Sequence, residues 1–67
     1  MNVRQLIEIL KGQNQDNLVI MAKDAEGNDF SPLANHSHEF YVAATSWYGE
    51  LGDSLDGEPA VVLWPTN

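Results

Sequence analysis

The stretch "AVVLW", Ala60 to Trp64, is fenced by Pro59 and Pro65 and decides how the rest of the chain is read. A short apolar run stopped by proline at each end reads as a β-strand. Side chains alternate across a strand, so Val61 and Leu63 point one way and Val62 and Trp64 the other. Both sides are therefore apolar. A strand with one face in water shows polar residues at every second position, and this one does not. It predicts a sheet that is covered on both faces.

Working outward, "NLVIMAK" repeats the pattern. Leu18, Ile20 and Ala22 alternate with Val19 and Met21, which predicts a strand over Leu18 to Lys23. "EFYVAATSW" predicts another, with Phe40, Val42 and Ala44 on one side and Tyr41, Ala43 and Thr45 on the other. Between them, "DAEGND" reads as a turn on Gly27 and Asn28. Phe30 opens a short extended piece stopped by Pro32, and "ANHSH" reads as loop. "YGELGDSLDGEP" carries three glycines, four carboxylates and a proline, and reads as a mobile acidic loop.

The amino-terminal segment has a different period. Val3, Leu6, Ile7 and Leu10 fall at i, i+3, i+4 and i+7, one face of a helix that Ile9 widens. Asn2 and Gln5 have the spacing of a capping box, Lys11 suits the last turn, and Gly12 offers a left-handed stop. A helix this short does not hold itself together in water, so it must dock. The chain has 67 residues, which predicts a single α+β domain over 1–67. Its architecture is an N-terminal helix packed on a small three- to four-stranded antiparallel sheet, ordered as in the chain. One helix covers one face. The other awaits the chain's own loops, a second copy or a partner.

Charge is the strongest bulk signal. Ten Asp and Glu stand against three Lys and Arg, for a net of −7, and eight of the carboxylates follow Lys23 without another fixed cation. Such a surface repels phosphate and argues against direct nucleic-acid binding. It attracts a basic protein surface and speeds the encounter, or it serves solubility alone. No apolar run exceeds five residues, against ~20 for a spanning helix. Glu8 interrupts what a signal peptide would keep apolar. There is no cysteine, so neither disulfide nor thiolate metal site is available. These features predict a cytoplasmic protein without membrane contact.

Catalytic and cofactor chemistry finds no foothold. His36 and His38 have the spacing of two ligands on one strand, with Glu39 and Asp29 as oxygen donors, but two imidazoles do not close a metal site. Turn or solvent roles are the plainer reading. The Asp24 and Asp53 loops misplace the glycine of a calcium-binding EF-hand. Glu50, Asp53, Asp56 and Glu58 sit on a glycine-rich loop that offers no environment to separate the pKa values of an acid and a base. The reading is no enzyme, no metal and no cofactor.

The aromatics carry more. Trp47 and Tyr48 lie where a strand runs into the acidic loop, and Trp and Tyr are favoured anchors at interfaces. Trp64, inside an apolar run, reads as core, and Trp47 has a core reading as well. Tyr48 is the better exposed anchor.

Four segments together carry a resemblance. "VRQLIEILKG" (Val3 to Gly12), "DAEGNDFSPL" (Asp24 to Leu33), "TSWYGEL" (Thr45 to Leu51) and "AVVLWP" (Ala60 to Pro65) resemble a group of small proteins encoded by bacteriophages and prophages. The resemblance implies phage origin. It brings no activity and no site residues.

The combined expectation is a small acidic phage-type protein that works by non-catalytic binding. Its partner would be a host protein with a basic surface, such as a nucleic-acid-binding or defence factor inhibited by phosphate mimicry. Glu50, Asp53, Asp56 and Glu58 would steer, and Trp47 and Tyr48 would hold. The alternative is a structural or accessory homo-oligomer, a homodimer built on Val19, Met21 and Val62.

Overall fold

The computed structural model describes residues 1–22 and 30–66. The "DAEGND" turn lies outside the described residues. One helix, α1 (Val3–Lys11), precedes four strands: β1 (Leu18–Met21), β2 (Leu33–Ala43), β3 (Gly49–Gly52) and β4 (Glu58–Pro65). The chain is an α+β fold with an N-terminal helix and one four-stranded sheet.

The capping box forms. The Gln5 amide donates to Asn2 Oδ1 at 2.9 Å, and the Asn2 amide donates to Gln5 Oε1 at 2.8 Å. Lys11 closes the last turn, 3.4 Å from Glu8, an exposed pair of little energetic consequence. Gly12 differs from expectation, with a right-handed φ of −80° and ψ of −5°. The last carbonyls are met by the connector's backbone, with the Gly12 amide donating to the Ile9 carbonyl at 3.2 Å and the Gln13 amide to that of Leu10 at 3.1 Å, and by its side chains. Gln15 Nε2 donates to the Leu10 carbonyl at 3.1 Å, and Gln13 Nε2 to that of Ile9 at 3.5 Å.

The half-buried side of α1 is Leu6, Ile9 and Leu10, while Ile7 and Val3 are exposed, Val3 to 75 %. The apolar stripe has thus turned by about one residue from the one read in the sequence, with Ile9 inside it. Leu10 and Gln13 share a small cleft with Val19 and Val61, so the end of the helix rests on the side of the sheet that those valines face.

The sheet is mixed, not antiparallel throughout, and its order is β1-β4-β2-β3. β4 pairs parallel with β1 and antiparallel with β2, and β2 pairs antiparallel with β3. Chain order fails because the last strand takes the centre. A strand apolar on both faces is stabilised most with neighbours on both edges, and among the described residues the fully buried ones are Ala60, Val61 and Val62, all on β4. The prolines fit this placement. Pro59 precedes the β1 pairing, which starts at Ala60, and Pro65 is the last residue of the strand.

Two further stretches depart from the sequence reading. "ANHSH" is strand, the first half of the long β2, and the "TSW" residues lie beyond that strand's end at Ala43. β3 falls inside the stretch read as acidic loop. β3 reaches only Phe40 to Ala43 of β2, so residues 33–39 have β4 alone as a described partner strand. Polar side chains suit such an edge, and here they tie strands together. Ser37 accepts from the Trp64 indole at 2.8 Å, and Asn17 Nδ2 lies 3.2 Å from His38 Nε2.

β3 and β4 lie on opposite edges of β2 and overlap at Phe40 and Tyr41. Two strand spacings, ~10 Å, separate them. Residues 53–57 make that crossing. The Gly57 amide donates to the Asp53 carbonyl at 2.9 Å, and a Cβ at Gly57 would stand 2.8 Å from Phe40 Cβ. The crossing runs over the side of the sheet that carries Phe40, His38 and Val61. The helix lies on this side too. Its opposite is the face to which Ile20, Tyr41, Val62 and Trp64 belong by register.

Candidate partner-binding groove

The described residues leave the second face open. It forms a groove of ≈ 470 Å³ whose walls come from β1, β4, β2, β3 and the turn before β3. A flat four-stranded sheet would hold its outer strands ~14 Å apart. Here Ile20 and Ala22 of the β1 side share one groove with Leu51 of β3, so the sheet curls around it. Val62 forms part of the floor and is itself buried.

Four of the chain's six aromatics line the groove: Tyr41, Trp47, Tyr48 and Trp64. Each is set by local chemistry. Residues 44–48 are a closed turn, in which the Ala44 and Thr45 amides donate to the Tyr48 carbonyl at 3.1 and 3.0 Å. The Thr45 hydroxyl accepts from the amides of Trp47 at 3.2 Å and Tyr48 at 3.1 Å. That hydroxyl holds the backbone of both rings. The rings pack at a centroid distance of 4.6 Å, tilted by 50°. Trp47 is 70 % exposed and Tyr48 48 %, so neither serves as core.

Trp64 is 36 % exposed, a correction to its reading as core. Its position on β4 points it to the open face, and the bond to Ser37 fixes its ring. Tyr41 lies over Gly49, where a Cβ would stand 2.5 Å from its hydroxyl oxygen and 2.6 Å from Cζ. The glycine makes room for the ring. Tyr41 and Trp64 were not singled out as binding residues from sequence. The alternation around Tyr41 was the available signal, but it gains meaning only when the other strand faces are assigned.

The carboxylates divide between the two sides. Glu50 is on β3 at the groove's border, but it pairs with Val42, so its side chain belongs by register to the face opposite Tyr41. Glu58 pairs with Tyr41 across β4 and β2, and Glu39 precedes Tyr41 by two on the same strand, so both belong by register to the open face. Glu39 is half-buried, and Glu50 and Glu58 are exposed. Asp53 and Asp56 sit on the crossing and are not among the lining residues of the groove. Asp53 Oδ1 accepts from the amides of Leu55 at 3.0 Å and Asp56 at 3.1 Å, which shapes its own loop. The structure therefore brings Trp47, Tyr48 and Glu50 together and leaves Asp53 and Asp56 elsewhere.

Among the described residues, no Lys or Arg lines the groove; Lys23 lies outside them. Arg4 and Lys11 are on the helix. Among the described residues, no three His, Asp or Glu side chains converge as a metal site would require. His38 packs edge-on against Phe40 at 6.2 Å, on the side away from the groove. Among the described residues, no helix is long and apolar enough to cross a membrane. No protein-family model, curated protein or solved structure matches the chain.

Proposed function

We propose that this is a small acidic phage-type protein that acts in the host cytoplasm by non-catalytic binding to a protein with a basic surface. The reading that follows is inhibition of a nucleic-acid-binding or defence protein, with carboxylates standing where phosphates would. The observation that carries it is the sheet face left open by the described residues: an apolar, aromatic-lined groove bordered by carboxylate-bearing strands, with no cation among its described lining residues. Exposed apolar surface rimmed by polar groups is characteristic of interaction sites. The unbalanced charge accelerates encounter with a cationic partner.

Phosphate mimicry has a direct test. The intact chain is titrated against a purified basic nucleic-acid-binding protein preloaded with fluorescent duplex DNA. Displacement that weakens steeply between 20 and 300 mM salt supports the reading. Affinity indifferent to ionic strength overturns the steering role.

The homo-oligomer is a second reading, and β1 favours it. Leu18, Val19 and Met21 are exposed on an edge strand that contains no charged residue and no proline. Such an edge is a template for pairing with another strand. Val62, buried at 2 % exposure, is not available to that interface. Sedimentation equilibrium separates the readings: a monomer at tens of micromolar supports the first, and a stable dimer the second.

A further inference from the structure

We infer that the groove is a cation–π site whose occupant is an arginine side chain presented by the basic partner. The inference rests on the binding role just proposed and names its chemistry. An aromatic face carries negative quadrupole potential and attracts a cation placed over it. Tyr41, Trp47, Tyr48 and Trp64 all line one concavity, Trp47 and Tyr48 as a packed pair. Two of them are tied before any ligand arrives, Trp64 by Ser37 and Tyr41 by the space over Gly49. A site built in advance does not lose ordering entropy on binding.

Charge complementarity points to a cation in place of a purely apolar ligand. The chain carries −7 overall. Glu39 and Glu58 flank Tyr41 on the groove's own face, and Glu50 lies on the strand that borders it. A volume of ≈ 470 Å³ is more than a side chain fills and lies in the range of small-ligand sites. It has room for the side chain and part of the segment that presents it. Arginine fits better than lysine. Its guanidinium is planar, stacks on aromatic rings, sheds water more readily than an ammonium, and meets a carboxylate with two parallel hydrogen bonds.

The probes are nona-arginine, nona-lysine and nona-citrulline, the last matching arginine in shape without its charge. They are titrated into the intact chain at 20 mM salt by calorimetry. Nona-arginine is expected to bind more tightly than nona-lysine, and nona-citrulline not measurably. Trp47→Leu retains apolar bulk and removes the π face, and it is expected to weaken nona-arginine about 2- to 30-fold. Val3→Ala, on the helix, is expected to change nothing. Circular dichroism confirms that each variant is folded, and Tyr48→Leu replaces Trp47→Leu should the latter unfold.

Equal binding of arginine and lysine peptides, with no effect of the aromatic variants, overturns the arginine site and leaves the acidic-surface reading standing. Absence of binding by either cationic peptide overturns both. Self-association that occupies the groove and excludes nona-arginine overturns the site in favour of a second copy.

Discussion

Replacing Gly57 with alanine tests the crossing that covers the helix side of the sheet. The new methyl would stand 2.8 Å from Phe40 Cβ, 3.0 Å from Phe40 C and 3.1 Å from the Asp53 carbonyl oxygen. These atoms are backbone or the first side-chain carbon, so no rotamer change moves them aside. Relief requires the 53–57 segment or β2 to shift. Overpacking of this kind costs about 1–3 kcal/mol, and the smaller unfolded-state entropy of alanine offsets about 0.4–1 kcal/mol of it. The net loss is about 1–2 kcal/mol. A 67-residue chain has a total stability of ~3–10 kcal/mol, so the loss is a substantial fraction. At ~4–8 °C per kcal/mol for a domain of this size, the melting temperature falls by about 4–16 °C. Gly12→Ala is the matched control. Gly12 is right-handed, and its Cβ would meet only the Ile9 carbonyl at 3.5 Å, so the variant is expected to be neutral or slightly stabilised. Urea unfolding followed by circular dichroism measures both. Equal stability of Gly57→Ala and the parent chain would refute the close passage over Phe40.

Three further outcomes follow from named contacts. Asn2→Ala removes the acceptor for the Gln5 amide and lowers stability by ~0.5–2 kcal/mol in the same assay. Gly49→Ala collides with the Val42 carbonyl and the Tyr41 ring; it is expected to cost about 1–3 kcal/mol and to weaken nona-arginine binding by displacing that ring. Ser37→Ala leaves the Trp64 indole N–H without its 2.8 Å acceptor; it costs about 1 kcal/mol and shifts that indole resonance in a 1H–15N spectrum.

Local signals are legible in the sequence where they depend on chain neighbours. The capping box needs only Asn2 and Gln5, and it formed. The apolar runs Leu18–Met21 and Ala60–Trp64 need only alternation, and both are strands. What escaped depends on distant parts of the chain. The order of the sheet followed from β4 needing two neighbours, a competition among strands that pairwise adjacency does not encode. "ANHSH" looked like loop because its polar residues suggested solvent, whereas Ser37 and His38 meet Trp64 and Asn17 across the sheet. β3 was hidden by its glycines. Gly49 and Gly52 signal a loop in isolation, yet their missing side chains leave space for Tyr41 and Val42.

The candidate site was legible in part for the same reason. Trp47, Tyr48 and Glu50 are near one another in sequence and stay together in space. Asp53 and Asp56 are just as near in sequence but turn onto the crossing. Tyr41, Trp64 and Glu39 reach the open face through strand register, which no local motif announces. The question of what covers the second face has a structural answer among the described residues: a groove edged by one aromatic turn.

The indole resonances of uniformly 15N-labelled protein read out occupancy of the groove. The chain has two tryptophans, and Ser37→Ala identifies the resonance of Trp64. On titration with nona-arginine at 20 mM salt, both indole N–H peaks are expected to move, as are the amides of Tyr41 and Gly49, while those of Arg4 to Ile7 on the helix stay fixed. Movement confined to the helix or to residues 53–57, with both indole peaks stationary, would place the peptide outside the groove and rule out the arginine site.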